Sequence, residues 1–217
     1  MHCALAIFDM DGTLLDTERL YQESWEVLAG EFGIEHNPAF PLAVCGSNGD
    51  NMVRIIRSYY PEIDAEAFMN ACYARVAGLV EHGAPKKPGA EEILRWMHER
   101  GVKLAVASSN THAQIVKNLS RAGLLEYFDA IAGGDEVAHS KPDPDIFQLA
   151  AQRLDCEPDD CYVFEDGING IRAAAAAGCT TVMIPDLTPP DEEIRALCAG
   201  VCGSLLEAQQ QIADGVL

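Results

Sequence analysis

The stretch "AIFDMDGTLLDT", residues 6–17, sets three aspartates directly behind an apolar run near the start of the chain. That run, residues 3–8, is not interrupted by polar residues, as expected of a strand covered on both faces. Four more short apolar runs follow at residues 103–107, 128–132, 161–164 and 180–184, each ending in a polar or glycine-containing turn. Helical patterns lie between most of them, and this βαβ alternation predicts a parallel sheet flanked by helices.

The intervening helices carry their own start and stop signals. In "PGAEEILRWMHERG", residues 88–101, Ile93, Leu94 and Met97 form a stripe, two glutamates open the first turn and Gly101 is placed to close it. "THAQIVKNLSRAG", residues 111–123, repeats the plan with Gly123 at its end. "KPDPDIFQLAAQRL", residues 141–154, offers Asp143 as N-cap with Pro144 at the first helical position, and Ser204 is placed to cap a final helix. "AAAAAG", residues 173–178, reads as an alanine-rich helix ending in glycine.

One stretch breaks the alternation. Between Thr17 and Pro85 only helical signals occur: Leu20, Tyr21, Trp25, Leu28 and Phe32, then Met52, Ile55, Ile56 and Tyr59, then Phe68, Cys72, Val76 and Leu79. A simple crossover between parallel strands needs roughly a dozen residues or somewhat more, so this is a helical insertion. The expected fold is α/β: a Rossmann-like three-layer core with a mainly parallel sheet from residues 1–16 and 86–217, and an all-α insertion over 17–85.

Composition narrows the function. The 217 residues, 48% hydrophobic and 23% charged, suit a globular protein with a sizeable core. Fifteen Lys and Arg against 34 Asp and Glu give a net charge of -19, which argues against nucleic acid and anionic membrane as partners. An anionic substrate would need a cation or a local positive site. The eight cysteines, Cys3, Cys45, Cys72, Cys156, Cys161, Cys179, Cys198 and Cys202, form no CxxC pair and read as reduced structural thiols. "HCALAIF" has no basic segment ahead of a long apolar run, and no stretch approaches 18 apolar residues, so a cytoplasmic protein without a membrane span is expected. A monomer or weak dimer is expected.

In an open parallel sheet, ligands bind beyond the carboxyl ends of the strands. "DMDGT" follows the first run, "SSN" the second and "EDGING" the fourth, while "HSKPDP" precedes the helix after the third. Asp9 and Asp11 can supply a nucleophile and a general acid and base, Gly12 allows close backbone approach, and Thr13 offers a hydroxyl. Glu165 and Asp166 add oxygen ligands suited to Mg2+, with Asp9 and Asp166 the obvious pair. Ser108, Ser109 and Asn110 offer donors where a helix begins, and Lys141 a cation. Each feature alone also fits a turn, a helix cap or a surface charge. Together they describe phosphoryl transfer, which needs a nucleophile, a second carboxylate, a divalent metal, a hydroxyl and a lysine.

These residues resemble the haloacid dehalogenase superfamily, in its phosphatase and phosphomutase branch with a helical cap. "DMDGT" matches the DxDGT signature, "VASSN" the second motif, "HSKPDP" the lysine motif and "FEDGINGI" the acidic motif. The resemblance implies that Asp9 forms an aspartyl-phosphate, and that Asp11 protonates the leaving group and later activates water. It implies Mg2+ held by the carboxylates of Asp9 and Asp166, the Asp11 backbone carbonyl and Glu165. Ser108 and Lys141 would bind the transferring phosphoryl group, supported by Asn110 and Thr13. The second aspartate points away from dehalogenation.

The cap, residues 17–85, would close over the crevice and decide the substrate, with a specificity loop around Cys45, Gly46, Ser47 and Asn48. Related β-phosphoglucomutases tend to carry Lys-Gly and a nearby arginine in that loop, and a histidine soon after the first motif. This chain has Cys45 before Gly46, no arginine in the loop before Arg54, and Tyr21 near the histidine position. Hydrolysis of a small phosphorylated metabolite, a sugar or polyol phosphate, is therefore expected, with a sugar phosphomutase as the alternative. No lysine occurs in 17–85, which counts against phosphonoacetaldehyde hydrolase chemistry. Asp16 is expected to serve a cap or hinge role.

Overall fold

The computed structural model describes residues 5–44, 47 and 49–217. The chain divides into two compact units, one of residues 1–16 with 85–217 and one of residues 17–84.

The larger unit is an α/β sandwich. Its strands are β1 (Leu5–Phe8), β2 (Lys103–Ser108), β3 (Ala130–Gly133), β4 (Cys161–Glu165), β5 (Thr180–Met183) and β6 (Gly200–Val201). They form one sheet in the order β3-β2-β1-β4-β5-β6, every pairing parallel. All four residues of β1 are buried, as its apolar run predicts, and Phe8 stacks on Phe164 of β4 with ring centroids 4.6 Å apart.

The helices of this unit are α5 (Ala90–His98), α6 (His112–Ala122), α7 (Asp145–Arg153), α8 (Ile168–Ala177), α9 (Glu192–Leu197) and α10 (Leu205–Ala213); α1 to α4 belong to the smaller unit. On one sheet face, Leu5, Ile7, Ala105, Ala107 and Val163 pack with Phe147 and Ala150 of α7 and Ala173 and Ala174 of α8. The small α8 side chains let helix and sheet approach closely. Burying each Leu, Ile or Phe contributes about 1.5–3 kcal/mol. On the chain's return from the helical insertion, α5 packs against β2 and α10. The fold is thus Rossmann-like, and chain order reverses between β1 and β4, the position where such sheets open a ligand crevice.

Among the described residues, the regular elements of the smaller unit are all helices: α1 (Thr17–Glu31), α2 (Phe40–Val44), α3 (Gly49–Tyr59) and α4 (Ala65–Leu79). Its core is aromatic. Phe40 meets Trp25 at 5.4 Å and Tyr60 at 4.9 Å, and Phe68 meets Trp25 at 5.2 Å and Phe32 at 5.0 Å. Asp64 caps α4, its carboxylate accepting from the Glu66 and Ala67 N–H groups.

Three local expectations need correction. β6 is a sixth strand, only two residues long, that the apolar runs did not reveal. α7 begins at Asp145 rather than at Pro144, and its N-cap is Pro144 without a side-chain cap bond. The Pro144 carbonyl accepts from the Phe147 and Gln148 N–H groups, both at 3.1 Å, while Asp143 belongs to the preceding turn, its N–H donating to the Ser140 carbonyl. The helix expected to close at Gly101 ends at His98 with Glu99 as its C-cap, although Gly101 does take a positive φ of 71°. Gly123 and Ser204 cap α6 and α10 as expected. Among the described residues, no helix is long and apolar enough to cross a membrane.

Candidate active site

β1 delivers Asp9 to the carboxyl edge of the sheet. The Asp9 N–H still donates to the Phe164 carbonyl at 2.9 Å, so the residue is fixed by the ladder although its side chain lies beyond it. The chain then turns: the Met10 carbonyl accepts from the Leu14 and Leu15 N–H groups, and the Gly12 N–H donates to the Leu15 carbonyl. Gly12 takes a φ of 84°, and a Cβ there would drive into the Asp166 carboxylate. Glycine is needed at this point for both conformation and proximity.

Across the chain reversal, β4 ends in Glu165 and continues to Asp166. Oxygens of Asp9, Glu165 and Asp166 lie within 4.8 Å of one another. Lys141 sits among them: its Nζ is 2.6 Å from Asp9 Oδ1, 2.7 Å from Glu165 Oε2 and 3.3 Å from the Ala107 carbonyl. The ammonium also lies 5.1 Å from the centroid of the Phe147 ring, within reach of a cation–π attraction. Glu165 Oε1 accepts from the Gly167 N–H at 3.0 Å, and the Glu165 side chain fills the space that a Cβ on Gly170 would occupy.

The electrostatics follow from burial. Loss of solvent first, and the neighbouring Glu165 charge next, push the Asp9 carboxyl well above its ordinary range, while Lys141 pulls it back. Burial opposes the charge on Lys141 as well, yet Asp9 and Glu165 together hold the ammonium above its ordinary value. Three carboxylates against one ammonium leave negative charge in excess, and their oxygens are the donors a hard divalent cation takes. The site fits such a metal.

The Asp11 carboxylate is bound from the end of β2. Its Oδ2 accepts from Asn110 Nδ2 at 2.6 Å and from the Ser108 hydroxyl at 3.4 Å. Ser108, the last residue of β2 and almost fully buried, also accepts from the Asn110 N–H at 3.2 Å. Neither residue caps α6, because Thr111 does so in a capping box with Gln114. Nor does Asp166 cap α8, whose N-cap is Gly167 with no side-chain bond. Ser108 and Asn110 thus bond to Asp11 rather than to the start of α6.

The structure therefore brings Asp9, Asp11, Thr13, Ser108, Asn110, Lys141, Glu165 and Asp166 to one edge of the sheet. Thr13 turns toward the acidic cluster, its hydroxyl donating to Asp166 Oδ1 at 3.2 Å. Asp16 stands apart, its carboxylate 3.6 Å from Lys87, which also binds Asp186 at 2.8 Å. Of the expected specificity loop, Cys45, Gly46 and Asn48 lie outside the described residues. Ser47 belongs to the helical unit, where its N–H donates to the Val44 carbonyl and its hydroxyl accepts from Asn51. Sequence reading missed Phe147 beneath Lys141, the Ala107 carbonyl and the room left by Gly170. The NGI tripeptide after the acidic motif was the one visible signal, a glycine inside a helix.

Comparison with known proteins agrees with this geometry. Residues 6–184 match the family model described as haloacid dehalogenase-like hydrolase. The fructose-1-phosphate phosphatase YqaB of Escherichia coli is 34% identical over 177 residues, 81% of this chain and 93% of that protein. A phosphorylated carbohydrates phosphatase of Thermotoga maritima is 31% identical over 173 residues, 79% of this chain and 80% of that protein. Among solved structures, a HAD family hydrolase of Deinococcus radiodurans with bound phosphate and sodium superposes with a TM-score of 0.81 at 26% identity, covering 99% of this chain and 97% of that one. With 179 consecutive residues matched to the family model and the acidic cluster and lysine assembled at one sheet edge, the chain belongs to the haloacid dehalogenase-like hydrolases.

Proposed function

We propose that this protein is a Mg2+-dependent cytoplasmic phosphatase of small phosphorylated metabolites, namely sugar or polyol phosphates, acting through an aspartyl-phosphate on Asp9. The observation that carries this reading is the cluster of Asp9, Lys141, Glu165 and Asp166, with Asp11 held separately by Asn110 and Ser108. The names of the two phosphatase relatives support the substrate class.

An oxygen of Asp9 attacks phosphorus as the bond to the leaving group breaks, and Asp11 gives its proton to the departing oxygen. Water then attacks phosphorus, Asp11 takes a proton from it, and the Asp9–phosphorus bond breaks to release inorganic phosphate. Lys141 and Ser108 bind the phosphoryl oxygens, while Asn110 orients Asp11 and Thr13 orients Asp166. Asp9, Asp166, the Asp11 carbonyl and Glu165 would hold Mg2+, which would supply charge neutralisation at the phosphoryl group. Lys141, 2.6 Å from Asp9 Oδ1, favours the ionised Asp9 that the attack requires.

The helical unit serves as the specificity element in this reading, through Cys45, Gly46, Ser47 and Asn48. A screen of sugar, polyol and nucleotide phosphates with Mg2+, ranked by kcat/KM, tests the proposal. Release of phosphate from sugar or polyol phosphates, lost on chelation and restored by Mg2+, is the expected result. Conversion of β-glucose 1-phosphate to glucose 6-phosphate with a bisphosphate primer, without net phosphate release, would instead mark a phosphomutase.

A further inference from the structure

A layer of side chains stands behind Asn110 that the chemistry above does not use. β3 ends at Gly133 and runs into a 3-10 turn, Gly134–Glu136. This turn clasps the segment carrying Asn110. The Gly134 N–H donates to the Asn110 carbonyl at 2.8 Å, and Asp135 Oδ1 accepts from the His112 N–H at 2.8 Å. The approach leaves no spare room: a Cβ on Gly133 would lie 2.6 Å from the His112 nitrogen, and one on Gly134 would press into the Ser109 carbonyl.

Glu136 holds the clasp together. Its carboxylate accepts from the Gly133 N–H at 2.8 Å and from Arg153 at 2.8 and 3.0 Å, and it faces His112 Nδ1 at 3.1 Å. Arg153, the last residue of α7, also donates to the Ile131 carbonyl on β3. One carboxylate thus ties an edge strand, the end of α7 and the start of α6. The path from it leads through residues 109–112 to the Asn110 amide on Asp11.

We propose that Glu136 is a positioning residue for the reaction: through the 133–136 clasp it fixes the Ser109–Asn110 turn, so that the Asn110 amide keeps the Asp11 carboxyl aligned for proton transfer. The proposal rests on the assignment of Asp11 as the acid. In the step concerned, Asp9 bonds to phosphorus, the phosphorus–oxygen bond to the leaving group breaks, and the Asp11 proton passes to that oxygen. A p-nitrophenolate leaving group departs with little help from this proton, whereas an alkoxide requires it. A misaligned Asp11 therefore slows alkyl phosphates more than aryl phosphates. Loss of folded or active protein lowers both by one factor.

The test compares kcat/KM for p-nitrophenyl phosphate and glycerol 1-phosphate, with Mg2+, in wild type, N110A, E136A and E136Q. N110A should depress the alkyl substrate about tenfold or more beyond the aryl one, E136A about three- to tenfold beyond, and E136Q by a smaller factor in the same direction. E136Q keeps the side-chain shape and an acceptor oxygen for the Gly133 N–H, so the comparison holds even if E136A fails to fold. Equal losses on both substrates in the Glu136 variants, with N110A selective, would overturn the positioning role and leave the Asp11 assignment standing. A non-selective N110A would overturn the Asp11–Asn110 pairing, and this proposal with it.

Discussion

The two units of the chain differ in whether they bury charge. In the α/β unit the buried polar side chains are Asp9, Thr13, Ser108, Glu165 and Thr181, the first four at the carboxyl edge of the sheet and two of them carboxyl groups, whereas the buried polar side chains described in the helical unit, Thr17 and Ser24, carry no charge. The bond between Lys141 and Asp9 spans 132 positions of sequence, and that between Asn110 and Asp11 spans 99. In the helical unit the large buried side chains are Trp25, Phe40 and Phe68, touching one another. Burying charge is unfavourable unless it is paired, so polar residues collected at one strand edge mark chemistry, whereas aromatic ones mark packing. Substitutions in the two units should therefore fail in different ways.

The sharpest break comes from Asp9, the nucleophile in the proposed function. D9N should lower kcat by about four orders of magnitude or more on every phosphate ester, while circular dichroism and urea unfolding show a retained fold. A variant that still turned over p-nitrophenyl phosphate at the wild-type rate would remove Asp9 from the chemistry. Next in size is F68A in the helical unit, which should cost about 3–5 kcal/mol of stability in urea unfolding. Where F68A stays folded, its kcat on p-nitrophenyl phosphate should fall by less than about tenfold, far short of the D9N loss. A loss as large as that of D9N in the folded variant would contradict the separation of roles.

The smallest effect separates the supporting network from the site. Hydrogen bonds from Arg153 first, then from Gly133 and His112, hold the Glu136 carboxyl down to about 2 against the opposing effect of burial. A depressed folded-state value means that the stabilisation is present above the ordinary glutamate range and is lost as pH falls toward 2. Wild type should thus exceed E136Q by on the order of 1–2 kcal/mol at pH 7, a figure reduced for the partial exposure of the pair. That gap should close between about pH 4.5 and 2. A gap independent of pH in urea titrations would mean that the Glu136 charge does not stabilise the fold.

The α/β core was legible in the sequence because its strands are unbroken apolar runs that end in chemistry-bearing turns. Asp9, Asp11, Lys141, Glu165 and Asp166 stood out because their residue types and chain positions agree with one crevice. The two-residue β6 was not legible, since a glycine and a valine carry no period. The start of α7 was misplaced by one residue because Asp143 and Pro144 carry a start signal, whereas Asp143 is taken up by the preceding turn through its bond to Ser140. Phe147 carries no chemical signal of its own; its place against the Lys141 ammonium follows only from the packing of α7. Glu136 gave no signal at all, because its partners Gly133, His112 and Arg153 converge only after folding.

The central claim is that Asp9 bonds covalently to phosphorus, and a single turnover in 18O-labelled water tests it most directly. Excess enzyme is mixed with a sugar phosphate and Mg2+, and both the peptide containing Asp9 and the released phosphate are analysed by mass spectrometry. Water attacks phosphorus in the second step, so the label should appear in the phosphate and leave the Asp9 peptide unshifted, while acid quenching before completion should trap that peptide with one added phosphoryl group. Label in the phosphate with no phosphorylated Asp9 peptide at any quench time, under conditions where the sugar is released faster than phosphate, would contradict the covalent route.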